Sequence, residues 1–594
     1  MRIGSDTGGT FTDLVAEDGR VSKVPSTRHD PGAAVRTGIK ELTKDRPDVL
    51  AHGTTVATNA LLERRGARVA LVTTEGFRDV IEIARQDRPS LYDQTVDRAE
   101  PIVPREWRYE VVERLDARGG ELTPVDVESL PAMPDDIQAV AVCLLHSDLD
   151  EDHERVVGKE LSARGLDVSL SCEVSPEFRE YERTVTTAVN AYLRPICREY
   201  LRELGAAADE VLVMTSAGGL TAAIDAAERP AALLLSGPAG GVAAAASVAV
   251  ANGQPDAISL DMGGTSTDVC LILDGRPEPA SERDVAGLPV RLPALDVHTI
   301  GAGGGSIAHV DTGGALVVGP ESAGALPGPA CYGRGGDRPT VTDANLLVGH
   351  IAADASFPGF AELDRAAAER AMASAGVDPA GVIAVVNANM EQALRTASVE
   401  RGVDPRGLAL VAFGGAGPLH ACALADALEM PCVIVPARAG VFSAVGILAA
   451  ARRVDLVRSW PATADDIEIP TALEHLGREA AHALAEAVES VELAVDCRYA
   501  GQSHELTVPS VASFPAEHQR RNGYTRPHHP IEVMALRATA VGRPGASVTG
   551  LPDVERQTGD GPRVVTETDC TIWLPEGWFA ERGMASALVL RRKP

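Results

Sequence analysis

An eight-residue pattern, D-x-G-G-T-x-T-D, occurs twice in the chain and constrains the fold more than any other feature. The first copy is DTGGTFTD at residues 6–13, and the second is DMGGTSTD at residues 261–268, 255 residues further on. Each copy follows a short apolar run and leads into another that ends in Asp-Gly, a turn signal. Each copy therefore predicts a hairpin with a glycine turn at its tip, and the repetition predicts two similar halves that face one another.

The glycine turns suggest a purpose for the two predicted hairpins. Glycines let backbone N–H groups converge on an anion because no Cβ intervenes, so the turns would hold the phosphates of a nucleotide from two sides. Asp6 and Asp261, at the strand ends, are placed to hold Mg²⁺ directly or through its waters, and they are the candidate catalytic and metal-binding residues. The other candidate nucleotide-binding residues in the two copies are Gly8, Gly9, Thr10, Thr12, Asp13, Gly263, Gly264, Thr265, Thr267 and Asp268.

Two alternatives bear on this interpretation. A tight hairpin whose own Asp and Thr side chains close the turn gives the same pattern, and Asp13 and Asp268 fit such a role best, bonding the turn backbone. Matched flanks in two copies argue against a purely structural origin. A Walker loop needs G-x-x-x-x-G-K-[ST], and none of the five lysines has that context, so a P-loop ATPase is excluded.

A third glycine element, FGGAGPLHA at 413–421, lies between a predicted strand and a predicted helix. Gly414, Gly415 and Gly417 would sit near the helix N-terminus, a place suited to phosphate or nucleoside. Close packing of the helix on the strand is the alternative. SGPAGGVAAA at 236–245 also opens a predicted helix with glycines, and there binding and packing are equally good explanations.

The rest of the chain alternates predicted strands and helices, which indicates α/β architecture. A long helix over 181–207 is expected to be interrupted near Pro195, and the polar, proline-bearing stretch 459–470 is expected to be a linker. The other expectations are strands at 69–73 and 139–145, helices at 31–46, 151–164, 360–375, 384–401 and 471–490, and a strand, turn and helix over 408–430.

Composition narrows the class of protein. A formal charge of −29 argues against a nucleic-acid-binding surface, and no uninterrupted apolar run reaches membrane-spanning length. The nine cysteines are scattered singly, which favours a reduced, cytoplasmic protein without a disulfide framework. The scarcity of lysine fits either a high-salt cytoplasm or a GC-rich genome.

Several motifs beyond the repeat carry a resemblance to a known family. They are IGSDTGGTFTDLV (3–15), HGTTVATNALLERRGARVALVTTEGFRDVIEIARQDRPSLYD (52–93), SPEFREYERTVTTAVNAYLRP (175–195), LSGPAGGV (235–242), SLDMGGTSTDV (259–269), IGAGGGSI (300–307), FGGAGPLHACALAD (413–426) and RYAGQSHELTVP (498–509). The two phosphate hairpins and the third glycine element look like the actin, Hsp70 and sugar-kinase superfamily. The whole set, in order, resembles the hydantoinase A/5-oxoprolinase family, which includes β-type subunits of ketone carboxylases.

The resemblance implies an α/β fold with duplicated RNase H-like halves around a nucleotide cleft, plus a C-terminal α+β domain. The domains it implies are 1–195 with the first phosphate loop, 196–455 with the second loop and the nucleoside-side glycines, and 456–594. It implies ATP and Mg²⁺ as cofactors, a hydantoinase B-type subunit as partner, and ATP-dependent phosphorylation of a small cyclic amide, of the hydantoin or 5-oxoproline type, to drive ring opening.

Substrate-side residues are less strongly indicated. His52, Thr54, Thr55 and Asn59 form a polar cluster in a predicted loop, where His52 would contact a carbonyl oxygen or serve as a structural histidine. The charged run from Glu173 to Arg183 would form either a pocket network or a solvated helix face, and the pair at 528–529 is weak evidence for a metal. Two rival functions are a ketone-carboxylase subunit that phosphorylates an enolate and an Hsp70-like ATPase switch.

Overall fold

The structure is a computed structural model that describes residues 1–27, 30–352, 354–355 and 362–593. Two large mixed sheets dominate it. In order across the first sheet, the strands are Leu506–Val508, Val488–Tyr499, Ile531–Pro544, Ala451–Thr463, Leu220–Ala222, Glu210–Met214, Val49–Thr54, Arg2–Thr7, Phe11–Ala16 and Val21–Pro25. In the second sheet they are Arg276–Pro277, Thr267–Leu273, Ala257–Met262, Ala409–Phe413, Val433–Val435, Leu588–Arg592, Trp578–Arg582 and Gly559–Asp560, with Val297–Ile300 also paired to Thr267–Leu273.

The two copies of the repeat occupy equivalent places in these sheets. Arg2–Thr7 and Phe11–Ala16 form an antiparallel hairpin, and Arg2–Thr7 pairs in parallel with Val49–Thr54. Ala257–Met262 and Thr267–Leu273 form the second hairpin, whose first strand pairs in parallel with Ala409–Phe413. The predicted hairpins and the predicted duplicated α/β fold are therefore confirmed.

Two helices cross between the halves and pack on each other by backbone. Gly237–Ala251 and Phe442–Ala449 meet where a Cβ on Gly446 would lie 1.9 Å from the carbonyl oxygen of Gly240. The second helix also lies on the first hairpin, because a Cβ on Gly4 would come within 2.4 Å of Ala444 O. Glycine at these places lets the two halves and the helices between them approach closely enough to form a narrow cleft.

A smaller sheet extends the first half. Its strands, in order, are Glu121–Asp126, Arg108–Leu115, Val69–Thr74, Ala139–Cys143 and Asp167–Leu170. Four separate strand pairs complete the strands: Pro279–Ala280 with Ala294–Leu295, Arg283–Val285 with Leu288–Val290, Ser306–Val310 with Leu316–Ser322, and Arg563–Thr566 with Thr571–Leu574. The remaining α-helices are Pro31–Leu42, Val56–Leu62, Val80–Ile83, Asp152–Ala163, Ser171–Val174, Glu180–Leu204, Ala223–Glu228, Val341–Val348, Arg365–Ala375, Pro379–Ala397, Gly417–Ala427, Ile469–Ala483 and Phe514–Asn522.

Two local predictions are wrong. The helix Glu180–Leu204 runs through Pro195 without a break, because residues such as Val189 and Leu193 are fully buried and tertiary packing outweighs the missing hydrogen bond. The predicted linker at 459–470 is instead the end of the strand Ala451–Thr463 and the start of the next helix. Part of the helix predicted at 360–375 lies outside the described residues.

Residues after Ala451 join both large sheets. The strands Ala451–Thr463, Ile531–Pro544 and Val488–Tyr499 extend the first sheet beyond Leu220–Ala222. Leu588–Arg592 pairs with Val433–Val435 and so extends the second sheet. The predicted domain limits stay a prediction, and the limit near residue 456 falls within a strand.

Two further properties concern membrane-spanning helices and the cysteine thiols. Within the described ranges, no single helix has both the length and the apolar character to cross a membrane, and residues 365–375 and 379–401 reach that length only together, across a bend of 80°. The nine cysteines are all buried and free, as expected from their scattered positions.

Candidate active site

The tips of the two hairpins lie on opposite sides of one cavity of about 420 Å³. They approach closely, because a Cβ on Gly264 of the second tip would lie 3.8 Å from Thr10 Oγ1 of the first. Both turns close in the same way: Gly8 N donates to Phe11 O at 2.9 Å, and Gly263 N donates to Ser266 O at 3.1 Å. Because Gly8 N and Gly263 N are engaged in these bonds, the N–H groups of the next two residues in each copy are the better candidates for binding phosphate.

Four carboxylates face each other across the cavity. Asp6 is directly opposite Asp13 in the first hairpin, and Asp261 is directly opposite Asp268 in the second. All four line the cavity. The predicted role of Asp13 and Asp268 in bonding the turn backbone is wrong, because their hydrogen bonds go to Lys23 and Thr299.

Burial and mutual repulsion disfavour the charged form of these groups. Burial raises the pKa of Asp6 to about 7, with the charges of Asp13 and Asp268 adding to the shift and Lys23 opposing it. Burial and then the charge of Asp268 raise the pKa of Asp261 to about 7, against the hydrogen bond from Ser443. Burial also raises the pKa of Asp268 to about 6 and that of Asp13 above its usual value. A divalent cation among the four would relieve this repulsion, so the donor set fits a hard cation such as Mg²⁺.

The threonine at the seventh position of each repeat has a structural role. Thr12 and Thr267 are fully buried and do not line the cavity. Thr12 Oγ1 lies 3.0 Å from Ser26 Oγ and 3.4 Å from Thr7 Oγ1, while Thr267 Oγ1 donates to Ala302 O. Alternate residues of a strand face opposite sides, so these two threonines point away from the cavity. Their hydroxyls stabilise the hairpins and do not form the predicted contacts with a nucleotide.

The glycines of the third element have two different roles. Gly414 and Gly415 line the cavity, and Gly414 has φ +79°, with its Cβ position 2.5 Å from Asp261 Oδ1. Only glycine fits there. Gly417 lies outside the lining, with its Cβ position 3.4 Å from Leu260 O, so it serves the packing alternative. Nearby lining residues give this side an apolar character: Pro329, Tyr332, Ile351 and Leu419.

The predicted substrate cluster is only partly in the cavity. Thr54 and Thr55 line it, whereas His52 and Asn59 do not. The predicted loop at His52 is wrong, because this residue is fully buried on the strand Val49–Thr54. Its Nδ1 lies 3.1 Å from Ser5 Oγ and its Nε2 lies 2.7 Å from Tyr200 Oη. Burial lowers its pKa to about 3, as for a structural histidine.

The charged run after Glu173 is largely buried, so the solvated-face alternative is wrong for most of it. Glu177 Oε2 accepts from Arg291 Nε at 3.0 Å and from Arg537 Nη2 at 2.8 Å, which ties the first half to the last large strand of its sheet. Arg183 contacts Asp148, and its side chain is 1% exposed. These residues lie outside the cavity lining, and the histidines at 528–529 are exposed.

Several lining residues had no prediction. Lys23 donates to Asp13 Oδ1 at 2.8 Å and to Gly440 O at 3.2 Å, and the one available signal was its rarity as one of five lysines. Ser443 Oγ donates to Asp261 Oδ2 at 3.0 Å. The turn between Arg563–Thr566 and Thr571–Leu574 also reaches the cavity, with Asp569 Oδ2 accepting from Gly440 N at 2.8 Å.

That turn also holds Glu567, Asp569 and Cys570, whose potential ligand atoms lie within 4.8 Å of one another. Arg556 donates to Glu567 Oε1 at 2.6 Å, and Asp569 bonds the backbone of Gly440, so both carboxylates already have partners. We assign this group to closing the cavity wall.

Comparison with known proteins agrees with this geometry. The family models for the hydantoinase/oxoprolinase N-terminal region and for hydantoinase/oxoprolinase match residues 2–165 and 183–455. The caprolactamase subunit alpha of Pseudomonas jessenii is 33% identical, over 97% of each chain. The 5-oxoprolinase 1 of Arabidopsis thaliana is 37% identical over 75% of this chain and 41% of its own length.

A solved structure extends the likeness to three dimensions. The crystal structure of the ATP-dependent caprolactamase from Pseudomonas jessenii has a TM-score of 0.88 and 30% identity, with 100% of both chains covered. The sequence match, the shared fold and the paired glycine hairpins lead to one assignment. The chain belongs to the hydantoinase/oxoprolinase family.

Proposed function

We propose that this chain is an ATP-dependent enzyme that phosphorylates the oxygen of a small cyclic amide and so prepares the ring for opening. The observation that carries the proposal is the cavity between the two hairpins, where four carboxylates and two glycine turns converge. The family relatives named for ATP-dependent caprolactam and 5-oxoproline chemistry support the same reaction class.

The nucleotide would lie with its phosphates between the turns. The N–H groups of Gly9, Thr10, Gly264 and Thr265 would donate to phosphate oxygens, and the nucleoside would extend toward Gly414 and Gly415. Mg²⁺, held by Asp6 and Asp261 directly or through water, would neutralise charge on the phosphates. Positioning and charge neutralisation account for most of the catalysis expected in phosphoryl transfer.

The proposed step balances in atoms and charge. The amide oxygen forms a bond to the γ-phosphorus of ATP while the bond from that phosphorus to the bridging β,γ oxygen breaks, and ADP leaves. The amide nitrogen loses its proton to water or to a cavity carboxylate that does not hold the cation, such as Asp13 or Asp268. The product is an O-phosphorylated lactim, which has lost the amide resonance that protects the ring.

Ring opening then needs two waters. One adds to the activated carbon, and the carbon–nitrogen bond breaks as the nitrogen takes up protons, leaving an acyl phosphate. The second water converts the acyl phosphate into carboxylate and inorganic phosphate. We assign these later steps to a complex with a hydantoinase B-type subunit, because the caprolactamase relative is itself named as a subunit.

The test is ADP formation by the purified chain, with and without a co-expressed B-type subunit, in the presence of hydantoin, caprolactam, 5-oxoproline or acetone with bicarbonate. We expect a cyclic amide to raise the rate of ADP formation at least about tenfold over the rate without it. Stimulation by acetone alone, dependent on bicarbonate, would instead make the chain a ketone-carboxylase subunit. Stimulation by unfolded peptide alone would make it an ATPase switch.

A further inference from the structure

One wall of the cavity lies beside the first carboxylate, at the base of the first hairpin turn. We call it the acceptor wall, and its lining residues are Thr54, Thr55, Thr58, Leu235, Ser236 and Pro238. It adjoins Asp6, because Cβ positions on Gly53 and Gly237 would lie 3.0 and 3.5 Å from Asp6 Oδ1. A molecule on this wall would be next to the end of the nucleotide held by the first hairpin.

Most hydroxyls of the acceptor wall are already engaged with the protein. Thr55 Oγ1 donates to Thr7 O at 3.2 Å, Thr58 Oγ1 accepts from Leu235 N at 3.0 Å, and Thr54 Oγ1 accepts from Val56 N at 3.2 Å. Ser236 differs from them. Its Oγ is buried and has no hydrogen-bond partner in the part of the chain that the structure describes.

The cavity carries a strongly one-sided charge. Its lining, as far as the described residues show, includes six carboxyl groups, on Asp6, Asp13, Asp261, Asp268, Glu567 and Asp569, and one basic side chain, Lys23. Lys23 is already paired with Asp13 and with Gly440 O. Nothing on the acceptor wall would compensate a second anion, and placing an unpaired carboxylate there would add repulsion to the cost of desolvation.

From this charge distribution we infer that the acceptor wall takes an uncharged cyclic amide and discriminates against a cyclic amide that carries a carboxylate. The inference rests on the proposed function for its reaction and deepens it by naming the substrate class. Leu235 and Pro238 would contact the ring, and Ser236 Oγ would hydrogen-bond the amide group as a positioning residue. Phosphorylation of that amide follows the balanced step given above.

A matched set of probes isolates the charge. 2-Pyrrolidinone and 5-oxoproline share one lactam ring and differ by the carboxylate, and 5-oxoprolinamide keeps the bulk of that group without its charge. Hydantoin and caprolactam extend the uncharged series. Binding would be measured by calorimetry on the full chain with Mg²⁺ and a non-hydrolysable ATP analogue, and ADP formation would be followed separately with ATP.

We expect 5-oxoprolinamide and at least one other uncharged ring to bind at least about tenfold more tightly than 5-oxoproline. Equal or tighter binding of 5-oxoproline would overturn the inference, and so would failure of every uncharged ring to bind. Binding of uncharged rings without any ADP formation would uphold the inference while rejecting the proposed function. ADP formation driven by 5-oxoproline alone would do the reverse.

Two variants test the wall directly. Thr55→Arg places a cation on it and should shift the preference toward 5-oxoproline by about tenfold, while Thr568→Arg, in the same cavity but on the C-terminal turn, should not. Ser236→Ala should weaken binding of the uncharged ring by about 3- to 10-fold, as for one lost hydrogen bond, with nucleotide affinity unchanged. Ser247→Ala, an exposed serine on the same helix, is its control. Identical behaviour of each variant and its control would contradict the assignment of the wall.

Discussion

The first and second hairpins share their turns and carboxylates but differ in what supports them. In the first, Asp13 pairs with Lys23, and Thr12 joins a set of hydroxyls with Thr7 and Ser26. In the second, Asp268 accepts from the neutral Thr299, and Thr267 bonds the backbone at Ala302. The duplicated residues thus supply matching turns and carboxylates on both sides of the cavity, while each half supplies its own support.

The support of the second hairpin is also more compact. The segment Gly301–Gly305 lies directly on its turn, with Gly305 N donating to Gly264 O at 2.7 Å and Gly304 N donating to Gly263 O at 3.0 Å. The first turn is held by one residue, since Ser26 N donates to Thr10 O at 3.0 Å and Ser26 Oγ donates to Gly8 O at 2.8 Å. Two backbone bonds from a glycine segment thus hold the second turn, whereas one backbone bond and one side-chain bond hold the first.

The largest effect is expected from removing one carboxylate in each half. Asp6→Asn and Asp261→Asn should each lower ATP turnover at least about 1,000-fold, because in the proposed function each removes a charge that faces the phosphates and their cation. Steady-state ADP formation measures the loss, circular dichroism checks the fold, and the exposed Asp18→Asn is the control. Near-normal turnover in either variant would break the equivalence of the two halves.

The same carboxylates should make metal-free stability fall as pH rises. Their folded pKa values, about 7 for Asp6 and Asp261, exceed the unfolded value near 4, so the folded state binds more protons between these limits. Stability should therefore decline from about pH 4 to pH 7, and Mg²⁺ should restore it above pH 7. At pH 8 without Mg²⁺, Asp261→Asn should be more stable than the unchanged protein by about 1–2 kcal/mol. Thermal melts with and without Mg²⁺ would decide, and a flat profile would contradict the repulsion.

Replacing Lys23 tests the difference in support between the two hairpins. Lys23→Met leaves Asp13 without its cation, so the pKa of Asp13 should rise and ATP turnover at pH 7 should fall about tenfold, with recovery at higher pH. The pH profile of turnover measures this shift. Lys40→Met, at an exposed helical position, should leave the profile unchanged.

The smallest effects concern the buried threonines. Thr267→Val leaves Ala302 O without its donor and should lower the free energy of unfolding by about 1–2 kcal/mol. Thr12→Val should cost less, about 1 kcal/mol, because Ser26 Oγ keeps its bond to Gly8 O. Denaturant melts of both variants would rank them, and a larger loss for Thr12→Val would contradict the greater dependence of the second hairpin on its threonine.

The sequence is informative where function requires a local pattern. The repeat predicted both hairpins and that they face one another, and the separate element FGGAGPLHA predicted the glycines at 414 and 415, because adjacent residues determine turn geometry. Prediction from the sequence failed where contacts between distant segments determine the structure. His52 became structural through Tyr200, and the helix at Pro195 continues because its neighbours are buried. Residues 566–571 reach the cavity on a separate hairpin that lies far along the chain from both repeats.

The strands after Ala451 have a consequence for how the chain is made. Val433–Val435 pairs with Leu588–Arg592, which is synthesised at the end of the chain, so this edge of the second sheet stays unpaired until the last residues emerge from the ribosome. An unpaired sheet edge of this kind is a template for strand pairing between molecules. Slow translation of the last segment, or expression without chaperones, should therefore favour aggregates over inactive but soluble protein.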